Sequence, residues 1–316
     1  MSRLVVAGLA ACLMAASLPA RAVRVEPTEA ALKVVEGLRA RSMGVDRAGN
    51  LWAWDPQLRK VDFVSPSGEK VASIRTPEAL AVDADTEWGV VALVRDGHEL
   101  SWFRGGKAPD VHLRLDGLAA QVCWVGPATI AVAPQTAAYR IGIWSLQDKA
   151  LVKTLGEETA LHPAYGATRM RAVVMRYDFG HGLLYTLESY LGDLQVFTLD
   201  GKLTWRAAVD NPRRNQDDKW LLDIDQKAKE QRDIQTPVIY SVYLGLDHHG
   251  DPWVVRDLDL AAKTVSLVKL SPAGNVERKL TDQGCASRPL TFWGDWLIFF
   301  TDPVSPRVCS GGRRFS

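Results

Sequence analysis

One stretch recurs along this 316-residue chain, and its clearest copy, Gly44 to Ile74, reads GVDRAGNLWAWDPQLRKVDFVSPSGEKVASI. Two turn signals sit inside it. Asp46-Arg47-Ala48-Gly49-Asn50 precedes the apolar Leu51-Trp52-Ala53-Trp54, and Ser65-Pro66-Ser67-Gly68 separates KVDFV from KVASI. Each turn joins two short apolar runs, so the unit predicts four antiparallel strands in a meander. A second copy spans Gly245 to Leu280: GLDHHGDPWVV lays Gly245, Asp247, Gly250 and Trp253 onto Gly44, Asp46, Gly49 and Trp52, and Ser271-Pro272-Ala273-Gly274 repeats the second turn. A third runs from Arg171 to Ala207, with Gly182 and Gly201 at its turns and the same spacing between them as between Gly49 and Gly68. Weaker units cover Ala79 to Leu115 and Gln121 to Leu155, and a sixth opens at Arg288 with PLTFWGDWLIFF, turns at Gly294-Asp295 and stops.

A four-stranded sheet has two apolar faces and cannot cover both alone, whereas sheets packed around an axis cover each other. Repeats of roughly 40 residues with four strands each therefore predict an all-β protein, a six-bladed β-propeller of four-stranded antiparallel blades, as a single domain over residues 23–316. Its tryptophans are expected in the core between blades. For ring closure, AVRVEP and ALKVVEGL are expected to supply the outer strands missing from the last unit. The competing reading is an amino-terminal helix over Thr28 to Arg39, with Thr28 as its cap.

Residues 1–22, MSRLVVAGLAACLMAASLPARA, pair Arg3 with an apolar run and end in Ala20-Arg21-Ala22, which predicts a signal peptide cleaved after Ala22 and a periplasmic or secreted product. Leu9-Ala10-Ala11-Cys12 offers a lipoprotein alternative, but Cys12 falls in the middle of the apolar run. No later stretch is apolar for long enough to cross a bilayer as a helix, so no membrane insertion is expected of the mature chain. Of the 38 Lys and Arg residues, Arg3 and Arg21 leave with the leader, and the rest balance the 37 acidic side chains to within one. Without a dense basic block, nucleic acid is not an expected partner. Three cysteines remain. Cys285 and Cys309 bracket the final hairpin and are expected to form a disulfide, while Cys123, within QVCWV, is expected as a buried thiol.

Units of the form VDxxGNLWxxD followed by SPxG, best matched by GVDRAGNLWAWD, resemble the blades of NHL-type and gluconolactonase-like six-bladed propellers. The resemblance covers most of the mature chain and implies a fold. In calcium-dependent lactonase relatives a Glu, Asn and Asp hold a metal in the channel, a set that cannot be placed on this sequence. Streptogramin-lyase-like propellers carry Phe-Thr-Glu where this chain has Ala53-Trp54-Asp55, which counts against that chemistry.

No H-E-x-x-H, G-x-S-x-G or C-x-x-C motif occurs. His248 and His249 fall in a hairpin turn and are expected as solvated turn residues rather than a metal pair, and His181 lies in a similar turn. Two segments break the repeat, residues 156–169 and the insertion 210–237, which is expected to carry a helix between the fourth and fifth blades. Both join an outer strand to the next inner strand, on the face beside the channel mouth, where loops on a rigid scaffold can recognise a ligand. Tyr165, Arg169, Arg171 and Tyr240 are the candidate binding residues there, with Asp55 and Glu188 from loops on the same face. The function expected is a binding or interaction module for a protein, peptide or small molecule, without a cofactor. The alternative is a lactonase-like hydrolase using calcium.

Overall fold

The computed structural model describes residues 26–94, 97–135, 139–157, 173–189, 192–209, 243–259, 264–272, 274–281, 289–300 and 306–308. Its first element is helix α1 (Glu29–Glu36), capped by Thr28, whose Oγ1 accepts the Ala31 amide at 3.2 Å. Glu29 in the first turn and Lys33 in the last complement the helix dipole. This overturns the expectation that ALKVVEGL forms a closing strand. A strand would put the neighbours Ala31 and Leu32 on opposite faces, whereas the helix gathers Ala31, Leu32 and Val35 on its buried side.

Blade 1 consists of β1 (Ser42–Val45), β2 (Leu51–Asp55), β3 (Lys60–Val64) and β4 (Lys70–Arg75). Blade 2 follows with β5 (Ala81–Asp85), β6 (Gly89–Val94), β7 (Glu99–Phe103) and β8 (Val111–Arg114). Blade 3 holds β9 (Ala119–Gly126), β10 (Thr129–Pro134), β11 (Tyr139–Ser145) and β12 (Ala150–Glu157). In blade 4 are β13 (Val173–Asp178), β14 (Leu183–Glu188), β15 (Asp193–Thr198) and β16 (Leu203–Ala208). Blade 5 is β17 (Leu244–Leu246), β18 (Pro252–Asp259), β19 (Thr264–Ser271) and β20 (Gly274–Thr281). Within each, every strand pairs antiparallel with the next in sequence. The last sheet has three described strands, β21 (Pro289–Trp293), β22 (Trp296–Phe300) and β23 (Pro306–Val308). Six complete blades are thus corrected to five complete blades and a partial sixth. Its third place is filled from the carboxyl-terminal side by β23, and α1 packs against that strand.

The repeated residues are turn chemistry. Asp46 accepts the Asn50 amide on Oδ1 at 2.8 Å and Gly49, at φ 83°, donates to Asp46 O; in blade 5, Asp247 accepts the Asp251 amide at 3.0 Å while Gly250, at φ 80°, donates to Asp247 O. A left-handed residue closes each hairpin, which is why glycine recurs there.

Among the described residues six apolar clusters fill the seams. One joins blades 1 and 2 through Trp52, Trp54 and Phe63, and the next stacks Trp88, Trp102, Trp124 and Trp144 between blades 2 and 3. Two more join blades 3 to 4 and 4 to 5, and Trp253 packs on Phe292 between blade 5 and the last sheet. The sixth cluster sets Ala31, Leu32 and Val35 of α1 against Trp293, Ile298, Met43 and Leu51, and Trp293 Nε1 donates across that seam to Gly49 O at 2.8 Å. Burying each such side chain is worth about 1.5–3 kcal/mol, so the seams hold the ring together. Of the tryptophans expected in the core, Trp52, Trp54, Trp88, Trp102, Trp124, Trp144, Trp253 and Trp293 are buried there, Trp205 and Trp296 are half-buried, and Trp220 lies outside the described residues. Among the described residues no helix is long and apolar enough to cross a membrane.

Candidate functional site in the central channel

Each sheet presents its first strand to the axis, and β1, β5, β9, β13, β17 and β21 touch in succession, with β21 returning to β1. They enclose a channel of about 1030 Å³. Because side chains alternate across these strands, the channel wall mixes strand edges with a few polar side chains.

Four of those polar groups form one electrostatic cluster. Asp83 of β5 accepts the Trp124 amide on Oδ2 at 2.7 Å and the Ala84 amide on Oδ1 at 2.9 Å. Burial pushes its pKa up, an effect that the Trp124 amide and the charge of Arg176 only partly offset. Cys123 of β9 is a free thiol, 6% exposed, and burial together with the neighbouring Asp83 charge raises its pKa well above the usual thiol range. Arg176 of β13 donates from Nη1 to Met175 O at 2.8 Å and, among the described residues, has no carboxylate within 4 Å. Tyr243, just before β17, is 7% exposed; burial pushes its phenol pKa up while Arg176 pulls it down. Its ring lies over Gly245, where any Cβ would strike the hydroxyl, and Trp52 covers Gly44 in the same way in blade 1. Among the described residues Tyr243 Oη has no hydrogen-bond partner, and neither has Nε1 of Trp54, another channel residue.

At the end of the channel where first and second strands turn, the charged side chains are committed to the fold. Asp46 binds the Thr86 amide and hydroxyl of the next blade, and Arg47 pairs with Asp85 at 3.1 Å while its guanidinium covers Trp88 at 3.7 Å. His248 contradicts the expectation of a solvated residue: its side chain is 5% exposed, and Nδ1 lies 2.5 Å from Asp295 Oδ1 on the neighbouring sheet. His181 is exposed as expected and lies 2.5 Å from Asp178 Oδ2. Among the described residues no group of three or more His, Cys, Asp or Glu side chains is placed to hold a metal ion.

No protein-family model matches the chain, and no curated protein matches it. Solved structures do. A streptogramin B lyase superposes with a TM-score of 0.50 at 11% identity, over 84% of this chain and 77% of the other. The fold is a β-propeller. A catalytically inactive virginiamycin B lyase from Staphylococcus aureus with quinupristin matches at TM-score 0.49 and 12% identity over 83% and 76% of the two chains. The β-propeller domain of Cps50 (Swd1) from Myceliophteria thermophila matches at 0.47 and 9% over 83% and 78%. At these identities the likeness concerns the propeller fold alone.

Of the residues expected at the channel mouth, Tyr165, Arg169, Arg171 and Tyr240 lie outside the described residues, as do Cys285, Cys309 and the insertion 210–237. Asp55 and Glu188 end the second strands of blades 1 and 4, away from the channel lining. Asp55 is 5% exposed and accepts the Gln57 and Leu58 amides at 2.8 and 3.1 Å, holding the β2–β3 turn. Glu188 is 1% exposed beside Arg140, whose guanidinium bonds Thr186 and Asp193 across the seam between blades 3 and 4. The propeller instead gathers Asp83, Arg176 and Tyr243, none of them singled out by sequence, around the thiol of Cys123. The available signal was a charge in mid-strand: Asp83 in AVDAD and Arg176 in VVMRYD stand on first strands, which face the axis.

Proposed function

We propose that this chain is an exported, NHL-like propeller that works as a binding module, taking a small polar ligand into the central channel among Asp83, Arg176 and Tyr243. The unpartnered hydroxyl of Tyr243 carries the reading. Leaving a buried hydroxyl unmatched costs about 1–3 kcal/mol, which a ligand supplying a partner would recover. Arg176 and Trp54 add donors, and Asp83 gives an acceptor, so a neutral molecule rich in hydroxyl or carbonyl groups matches the lining better than a simple anion.

Export rests on the leader-like residues 1–22, and a Cys285–Cys309 disulfide accords with it; non-reducing peptide mapping decides the pairing. Calcium-dependent hydrolysis of a lactone or ester is the alternative chemistry. The channel donors do not fit that ion well: it takes about six to eight oxygens, whereas both oxygens of Asp83 accept amides and Arg176 stands beside it. A thermal-shift panel of sugars, lactones, short peptides and divalent ions tests the binding reading, because a ligand of the folded state raises its melting temperature. A sugar or lactone that stabilises wild type but not Arg176→Gln is the expected result. Stabilisation by calcium alone would instead favour the hydrolase.

A further inference from the structure

A second cavity lies outside the channel, along the seam between blades 1 and 2. This groove of about 1390 Å³ is bounded by the β2–β3 turn, the 76–80 connection and the β7–β8 turn. Five cationic side chains reach it, Arg41, Arg59, Lys60, Arg75 and Lys107, against the acids Glu78 and Glu99. Most of the neutralising pairs are already made or loose. Lys60 is 2.6 Å from Asp62, Glu99 is 3.1 Å from His112, and Arg59 meets Glu78 only at 3.9 Å with both largely in solvent. Arg75 and Lys107 are exposed and, among the described residues, have no carboxylate within 4 Å. The uncompensated charge of the groove is therefore positive, although the chain as a whole is close to neutral.

Apolar surface lies among these charges. Leu58 is 62% and Leu80 41% exposed on either side, beside Pro77 and Pro109. Thr76, 5% exposed, has a hydroxyl with no hydrogen-bond partner among the described residues, while its amide donates to Arg59 O at 2.8 Å. We propose that this groove docks an extended acidic segment of a partner protein, one with apolar side chains between its carboxylates. Carboxylates meet Arg75 and Lys107, apolar side chains cover Leu58 and Leu80, and a backbone carbonyl takes the Thr76 hydroxyl. A concave slot between two sheets suits an extended peptide better than the flat surface of a bilayer, and charge confined to one groove is too little for a nucleic-acid backbone. This docking site is independent of the channel.

Fluorescence anisotropy with a fluorescein-labelled peptide of alternating Glu and Leu tests it, with Gln/Leu and Lys/Leu peptides as controls. The Glu/Leu peptide should bind, weaken as salt rises, and lose about tenfold or more in affinity, at least 1.4 kcal/mol, to the Arg75→Glu/Lys107→Glu protein. Should that protein fail to fold, Arg75→Gln/Lys107→Gln should give the same order of loss. Thr76→Val should weaken binding without lowering the melting temperature, and Tyr243→Phe, in the channel, should leave it unchanged. Equal binding of the Glu/Leu and Gln/Leu peptides, or full affinity in the charge-reversed and charge-neutralised proteins, would overturn the proposal. So would phosphatidylserine vesicles that bind through Arg75 and Lys107 while the acidic peptide does not.

Discussion

At Arg140 a charge holds two blades together from inside the fold. The side chain is 1% exposed, and its guanidinium donates to Thr186 Oγ1 and O, and to Asp193 Oδ2 and O, at 2.6–3.0 Å. Removing one partner of such a buried pair strands the other, so Arg140→Ala should cost about 3–5 kcal/mol in urea unfolding; a loss under 1 kcal/mol would mean the seam relaxes around it. Asp247 and Asp83 respond to pH in opposite senses. Burial alone would raise Asp247, but Trp253 Nε1, two amides and Lys269 outweigh it and hold its pKa below 3.8. Its stabilisation is therefore present above that value and lost as pH falls through the lower folded one. Asp247→Asn should be less stable than wild type at neutral pH, with the gap closing in acid. Asp83, raised in the fold, works the other way: stability rises as pH falls through its raised pKa, and Asp83→Asn should remove that segment of the profile. These roles were hidden in the sequence because an aspartate in a turn and one on an inner strand look alike until the axis of the ring is known.

Among the elements, hairpins were legible and closure was not. The turns at Gly49, Gly68, Gly182, Gly201 and Gly250 all have positive φ, as the repeated glycines imply, and blades 1 to 5 fall within a few residues of the units read from the sequence. Helix α1 competes with a strand in the sequence because Ala30 to Leu38 alternates apolar residues well enough for either, and only packing decides. Its buried side fills the seam between the last sheet and blade 1, while the Thr28 amide donates to Pro66 O and the Glu26 carboxylate accepts the Asp295 amide at 3.2 Å. Thr28→Ala should remove the cap at a cost of about 1 kcal/mol, and amide exchange should speed first in α1 and β21. Unchanged exchange there would mean the helix does not help to close the ring.

The whole molecule is a ring whose aromatic seams make it rigid and whose axis, among the described residues, holds few polar groups, with Tyr243 Oη and Trp54 Nε1 without hydrogen-bond partners. Repeat spacing alone implied the ring. The contents of its channel depend on which side of each first strand faces the axis, and that is fixed only when all the blades are assembled. A protein that buries the Tyr243 hydroxyl unpaired gives up stability it could regain by losing one oxygen. Tyr243→Phe should therefore melt no lower than wild type and, by the worth of one buried hydrogen bond, bind the channel ligand about tenfold more weakly. Calorimetric titration of the sugar or lactone that most raises the melting temperature, into wild type and Tyr243→Phe side by side, measures both terms. Weaker binding with an undiminished melting temperature is the predicted result; equal affinities, or a Tyr243→Phe protein that melts well below wild type, would contradict a ligand site in the channel.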